Sequence, residues 1–149
     1  LSYLVADREV GAVLMQNQRG REHHDVIDDI TSGFITSLSV CDSAGVDSAK
    51  LILDPGFGFG WSVSQNLEIL RRLPELVHLE LPLLIGTSKK SSIGTVLGSR
   101  VGERLFGTAA TVAHAICAGI DVVRIHDGSE MRDVVTMSDA IVRQRGSVG

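Results

Sequence analysis

The chain of 149 residues is long enough to bury one hydrophobic core, and 44% of its residues are hydrophobic. A net charge of −4 argues against a nucleic-acid partner, because proteins that bind nucleic acids present a basic surface. No apolar run approaches the roughly 20 residues of a transmembrane helix, and no signal peptide is recognisable. We therefore predict a single domain over residues 1–149, cytoplasmic and without a membrane partner.

The two cysteines, Cys41 and Cys117, lie far apart in segments with helical spacing. Neither belongs to a pattern typical of a metal site or a redox pair. We predict that both are buried free thiols, which agrees with a reducing compartment.

The first part of the chain predicts a helix that ends near Arg8, followed by a short aliphatic strand over 12–15. Apolar residues at three- and four-residue spacing then predict a helix from about 26, which Gly45 ends. Three consecutive aliphatic residues predict a second buried strand over 51–54.

The later elements continue the alternation of strand and helix. They are a helix from Ser62, with capping-box spacing to Gln65; a strand over 82–86; a short helix; a helix over 103–118, ended by Gly119; a strand over 121–127; and a last helix, capped by Ser129, to about 145.

Four strand–helix units in succession predict a parallel α/β sheet. Four such units amount to half of an eight-stranded barrel. A flavodoxin-like sheet would need a fifth unit or a different strand order. Half a barrel would leave two open sheet edges, which are a liability in isolation.

Polar side chains follow every predicted strand, at the edge where the carboxyl ends of parallel strands meet. They are Gln16 and Asn17, Asp54, residues 88–91, and Arg124, His126 and Asp127. The convergence of an acid, a lysine, an arginine and a histidine predicts a ligand-binding site at this edge.

Asp54 ends a buried strand and precedes Pro55 and a glycine-rich loop over 56–60. A carboxylate accepts two parallel hydrogen bonds, which suits a flat ligand with adjacent N–H donors. The alternative is that Asp54 accepts hydrogen bonds from the loop itself. Phe59 would stack on such a ligand or simply pack the loop.

Lys90 would supply a point charge for an oxygen or a phosphate, or would be an ordinary solvated lysine. Arg124 and His126 alternate along the predicted fourth strand, so their side chains should point the same way. We interpret them as an anion site for phosphate or pyrophosphate. The alternative is a structural ion pair between Arg124 and Asp54 or Asp121.

Three motifs in this order closely resemble the dihydropteroate synthase family: LDPGFGFG at 53–60, GTSKKS at 86–91 and RIHD at 124–127. The resemblance implies an α/β fold of the (β/α)8 TIM-barrel class, of which this chain covers about the last four βα units. That family condenses 6-hydroxymethyl-7,8-dihydropterin pyrophosphate with 4-aminobenzoate in folate biosynthesis and releases pyrophosphate. It also implies a transferase that is the target of sulfonamides and is usually a homodimer.

The resemblance further implies roles for individual residues. Asp54 and Lys90 would hydrogen-bond the pterin. Arg124 would contact the pterin face and the pyrophosphate side, and His126 would help to hold the pyrophosphate. The implied substrate-binding set is Met15, Asp54, Phe59, Gly86, Lys89, Lys90, Ser91, Arg124 and His126. Of these, Lys90 and Arg124 are the catalytic candidates, and Ser91 would lie near the aminobenzoate.

The chain departs from the family pattern in composition and in length. The family usually has arginine at the position of Lys89 and histidine at that of Gln16. Its first four strands have no counterpart here, and with them the asparagine that would bind Mg²⁺, so we predict no metal ligand in this chain. We expect a fragment that binds pterin weakly and turns over negligibly.

Two other functions are considered. The pterin-binding domain of a cobalamin-dependent methyltransferase shares the barrel, but no pyrophosphate leaves in methyl transfer, so 88–91 and 124–127 argue against it. A non-catalytic half-barrel that serves as a binding module is the second alternative, suggested by the missing strands.

Overall fold

A computed structural model describes residues 1–17, 20 and 24–143 of the chain. Helices and strands alternate along these residues, as predicted. The elements are α1 (Ser2–Arg8), β1 (Ala12–Met15), α2 (Val26–Ser43), β2 (Leu51–Asp54), α3 (Val63–Val77), β3 (Leu84–Ile85), α4 (Ser91–Leu97), α5 (Leu105–Cys117), β4 (Val122–Val123) and α6 (Gly128–Arg143). Short 3₁₀ turns at Ser48–Lys50 and Val101–Glu103 precede β2 and α5.

The strands are parallel and lie in the order β1–β2–β3–β4. β1 pairs with β2 in a register that places Met15 opposite Asp54. A parallel bridge between Leu53 and Leu83 joins β2 to β3, and β3 pairs with β4. The carboxyl ends of all four strands therefore lie at one edge, where the sequence places the candidate site.

Strands β3 and β4 contain two residues each and are therefore shorter than the predicted ranges 82–86 and 121–127. Arg124 still donates its amide to β3 at 3.0 Å, but the amide of His126 donates to the Ser88 hydroxyl at 3.2 Å. At His126 the Ser88 side chain, and not the backbone of the neighbouring strand, accepts the hydrogen bond, so the ladder between β3 and β4 has ended. The prediction that Arg124 and His126 lie within a strand is therefore wrong.

The helix ends follow most of the predicted capping signals. The capping box of Ser62 and Gln65 is present at α3. Gly45 and Gly119, with φ of 77° and 101°, follow α2 and α5. The predicted cap at Ser129 is wrong, because α6 begins one residue earlier and the Ser129 hydroxyl donates to the next side chain. The predicted end of this helix near 145 lies outside the described residues.

The main core forms where α2 and α3 pack against the sheet. Its side chains with no exposed surface include Ile30, Phe34, Leu53, Ile69, Leu73 and Leu76. Asp25 fastens the start of α2 to α3, because its carboxylate caps α2 and lies 2.6 Å from the guanidinium of Arg72. This packing holds β2, which carries Asp54, from behind.

Both cysteines are free thiols, and Cys41 is buried as predicted. The prediction that Cys117 is buried is wrong, because the last turn of α5 exposes it to solvent. Among the described residues, the helices are too short or too polar to cross a membrane.

The end of β1 touches the loop after β2 at Gly56. Gly56 has a φ of 74°, and a Cβ at this position would overlap the carbonyl oxygen of Gln16. Gln16 in turn donates its amide to the carbonyl of Asp54 at 3.0 Å. The amides of Gln16 and Gly56 are both bonded to Asp54 at the end of β2, which limits how far either backbone can move, so glycine is the residue that fits at position 56.

We predict that Gly56→Ala lowers the free energy of unfolding by about 3 kcal/mol or more, because it adds a steric overlap to the cost of a left-handed backbone. Gly45→Ala is the matched control, since Gly45 has a similar φ of 77° and no described atom lies within 4 Å of the added Cβ. We expect the control to lose about 1 kcal/mol. Chemical denaturation measures the free energy of unfolding of both variants. If both lose the same amount of stability, the overlap with Gln16 does not matter.

Candidate functional site

The carboxylate of Asp54 lies at the carboxyl end of β2 and is only 5% exposed. Its Oδ1 accepts the amide of Gly56 at 2.8 Å, so the alternative role as acceptor for the loop is confirmed. Burial raises the pKa of Asp54, while this hydrogen bond and the positive charges of Arg124 and Lys90 oppose the rise. Within the described part of the chain, no donor is bonded to Oδ2.

The glycine-rich loop after Asp54 is held by Asn66, which is 1% exposed on α3. Its side-chain oxygen accepts the amide of Gly58 at 2.7 Å, and its side-chain nitrogen donates to the carbonyls of Trp61 and Ser62. The indole of Trp61 donates to the carbonyl of Pro55 at 3.2 Å. Asn66 was not predicted as a support from the sequence, although an asparagine one turn into a capped helix is well placed to bond the preceding loop.

Lys90 lies across this loop. Its ammonium nitrogen is 3.8 Å from the centre of the Phe59 ring, and its side chain passes over Gly58. A cation over an aromatic face is stabilised by the ring's quadrupole. Lys90 is half-buried, and its charge acts on Asp54, so it is not an ordinary solvated lysine.

The guanidinium of Arg124 lies over Gly86, where a Cβ would be 3.1 Å from its Nε and Nη2 atoms. A side chain at 86 would therefore push Arg124 aside. The described residues include no ion-pair partner for Arg124, and the carboxylate of Asp121 instead accepts the amide of Leu83 at 2.9 Å. The predicted alternative of a structural ion pair with Asp54 or Asp121 is therefore not observed, and the anion-site interpretation of Arg124 stays a prediction.

His126 is exposed, and its Nδ1 lies 2.9 Å from the hydroxyl of Ser88, which is buried. Ser91 is also exposed and begins α4 directly after Lys90. Both predicted site residues therefore reach solvent at the same edge of the sheet as Asp54.

Lys89 has a left-handed backbone with a φ of 57°, and its ammonium lies 2.6 Å from the carboxylate of Asp127. Its amide donates to the hydroxyl of Thr108 at 3.2 Å, and its carbonyl accepts from the guanidinium of Arg104 at 2.8 Å. These two supports were not predicted from the sequence, although positions 104 and 108 are one helical turn apart at the start of α5. The substrate-binding role of Lys89 stays a prediction.

Met15 and Gln16, at the end of β1, differ in their exposure to solvent. Met15 is 39% exposed and lies opposite Asp54, and its substrate-binding role stays a prediction. Gln16 is buried, and its side chain fills the space left by Gly33 on α2. Gln16 is therefore wrongly predicted as one of the converging polar groups, because the missing Cβ at Gly33 gives it a place in the interior.

The candidate site thus combines Asp54, Phe59, Gly86, Lys90, Arg124 and His126, with Met15, Lys89 and Ser91 at its margin. It holds one buried acid beside two cations, a geometry suited to a flat ligand that donates hydrogen bonds and carries an anion. Across the described residues, no three potential metal ligands come together.

Residues 2–126 match the family described as pterin binding enzyme. The dihydropteroate synthase of Bacillus subtilis (strain 168) is 36% identical over 146 residues, which cover 98% of this chain and 51% of that protein. The dihydropteroate synthase of Escherichia coli (strain K12) is 39% identical over 123 residues, which cover 83% and 44%. The chain spans about half the length of the curated relatives it matches.

Solved structures are similar over the same part. Dihydropteroate synthase from Clostridium difficile, in the presence of pteroic acid, aligns with a TM-score of 0.92 at 41% identity, over 95% of this chain and 54% of that one. The Yersinia pestis enzyme in complex with a sulfonamide drug aligns with a TM-score of 0.90 at 32% identity, over 94% and 54%. The predicted family resemblance and the predicted (β/α)8 fold class, present here as about half a barrel, are confirmed.

We predict that Lys89→Arg raises the free energy of unfolding by about 0.5–1 kcal/mol. Asp127 has one buried oxygen, Oδ2, without a hydrogen-bond partner among the described residues, and a forked guanidinium can bond both oxygens at once. Lys89→Met, which keeps the backbone strain but removes the charge, should lower stability. Thermal and urea unfolding compare the three proteins. If the arginine variant is no more stable than wild type, the prediction that Oδ2 of Asp127 gains a hydrogen-bond donor is wrong.

Proposed function

We propose, since the chain belongs to the family of pterin-binding enzymes, that it supplies the pterin and pyrophosphate subsites of a dihydropteroate synthase. The proposed reaction joins 6-hydroxymethyl-7,8-dihydropterin pyrophosphate to 4-aminobenzoate, which gives 7,8-dihydropteroate and pyrophosphate in folate biosynthesis. The names of the relatives and the pteroic acid present with one of them support this proposal. They favour a synthase over the methyltransferase and over a non-catalytic module.

The buried carboxylate of Asp54 is the observation that carries the proposal. The 2-amino group and the adjacent ring N–H of a pterin would donate to its two oxygens. Such donors stabilise the charged carboxylate that burial disfavours. The ligand would thus supply hydrogen bonds that the described part of the protein does not give to Oδ2. Phe59 and Lys90 would then flank the flat ring, and Met15 would form part of its wall.

Arg124 and His126 would hold the pyrophosphate. In the proposed reaction the bond between the pterin methylene carbon and a pyrophosphate oxygen breaks, and negative charge grows on the leaving group. A guanidinium near that oxygen stabilises the departing charge. The aminobenzoate nitrogen then forms the new C–N bond and releases a proton, with Ser91 near the aminobenzoate.

We also propose Mg²⁺ as the cofactor, a homodimer as the assembly and the cytoplasm as the location. Because no three potential metal ligands come together among the described residues, the ligands of the ion would lie outside them. Magnesium, when bound, would neutralise charge on the pyrophosphate.

We predict that Asp54→Asn weakens binding of the dihydropterin pyrophosphate by at least about tenfold, because an amide cannot accept two charge-assisted hydrogen bonds. Isothermal titration of the 149-residue chain measures the affinity. Asp47→Asn is the control, since Asp47 caps a 3₁₀ turn remote from the site and asparagine caps equally well. Equal affinity in the Asp54 variant and the wild type would refute the pterin assignment.

The same Asp54→Asn variant should be more stable than wild type at neutral pH. Burial raises the pKa of Asp54, so the stability that its protonated form provides is complete below the ordinary value of 3.8 and is lost as pH rises through the raised pKa. Asparagine removes this loss. Thermal unfolding across pH tests the sign: the advantage of the variant should shrink as pH falls towards 3.8.

We expect the chain alone to bind the pterin substrate weakly and to release pyrophosphate negligibly when 4-aminobenzoate is added. The chain matches only 51% of a synthase such as that of Bacillus subtilis, so half of that protein's barrel has no counterpart in it. A coupled pyrophosphate-release assay with and without Mg²⁺ measures turnover. A turnover number near that of a full-length synthase would contradict this expectation.

A further inference from the structure

We infer that Ser88 is a positioning residue, which holds neutral His126 in the tautomer that carries its proton on Nε2. The exposed side of the ring then presents an N–H donor to an anion. The inference rests on the proposed function only for the identity of that anion, which is the pyrophosphate of the substrate.

Among the described residues, the hydroxyl oxygen of Ser88 has two hydrogen-bond partners, and both belong to His126. The backbone amide of His126 lies 3.2 Å from it, and the ring Nδ1 lies 2.9 Å from it. An amide can only donate, so the oxygen of Ser88 is the acceptor in the first of these bonds. The hydroxyl proton of Ser88 is left for a different acceptor.

Nδ1 is the only acceptor for that proton in the described part of the chain. Ser88 is 3% exposed, so water does not offer a ready replacement. If Nδ1 carried a proton, it would also donate to Ser88, and the hydroxyl proton would be buried without a partner, which is costly. The hydroxyl therefore donates to Nδ1, and the proton of the neutral ring lies on Nε2.

The tautomer decides what the ring offers to a ligand. With the proton on Nε2, the ring donates a hydrogen bond to an oxygen of a phosphate group. The other tautomer would turn a lone pair towards that oxygen and repel it. Ser88, two residues before Lys90, also bonds the backbone amide of His126. One buried hydroxyl therefore sets both the position of the imidazole and which of its nitrogens carries the proton.

Nitrogen NMR measures the tautomer directly, without any need for turnover. In ¹⁵N-labelled protein at mildly alkaline pH, two-bond correlation spectra distinguish protonated from unprotonated ring nitrogens, and His126→Gln identifies the signals of His126. We expect an unprotonated Nδ1 and a protonated Nε2 in wild type. A protonated Nδ1 would overturn the inference, and this measurement needs no variant at Ser88.

Ser88→Ala should bring the two nitrogen shifts of His126 closer together, because both tautomers become populated. Ser88→Thr keeps the hydroxyl and should restore the wild-type pattern. Ser138→Ala removes another buried serine hydroxyl, far along α6, and should leave His126 unchanged. Unchanged shifts in a folded Ser88→Ala variant would overturn the role of Ser88.

Titration with inorganic pyrophosphate separates this inference from the proposed function. We expect the Nε2–H signal to shift on binding, and Ser88→Ala to weaken the affinity about three- to tenfold. A wild-type protein with the expected tautomer but no response to pyrophosphate would support the role of Ser88 and would count against the proposed pyrophosphate site.

Discussion

The buried carboxylate of Asp54 is the constraint on which the rest of the site depends. Burial disfavours its charge, and the groups that offset this cost come from three different loops: the amide of Gly56, the ammonium of Lys90 and the guanidinium of Arg124. The parallel sheet supplies all three because it brings successive strand ends to one edge. The strand order β1–β2–β3–β4 therefore brings two positive charges near Asp54 and also provides the surface on which the core packs.

Beyond the ends of the strands, the loops at this edge are held by side chains, most of which come from the helices behind the sheet. Asn66 on α3 holds the glycine-rich loop, while Arg104 and Thr108 secure both peptide groups of Lys89. Ser88 does the same for His126. A glycine-rich loop and a left-handed lysine are locally unfavourable or loose. Side chains of Asn66, Thr108 and Arg104 offset this by forming hydrogen bonds with the backbone of Gly58 and Lys89.

The sequence predicted the elements whose signals are local. Strands β1 and β2 are runs of aliphatic residues, and the capping box at Ser62 needs only the next turn of the helix. The end of β4 could not be predicted, since it depends on a hydrogen bond between His126 and a serine 38 residues away. The orientation of Gln16 depends in the same way on the space above Gly33. Three motifs predicted the family, which is confirmed, whereas the role of each site residue stays a prediction.

The open edge of the sheet and the candidate site share a residue. β1 pairs only with β2 within the described residues, and Val13 and Met15 on it are 49% and 39% exposed. Met15 also stands opposite Asp54. A strand added to β1 would pair with the sheet edge that lies beside this residue. The free edge of the sheet and the candidate site are thus neighbours. For this reason ligand binding to Asp54, which is already in place, tests the site of this chain more directly than turnover does.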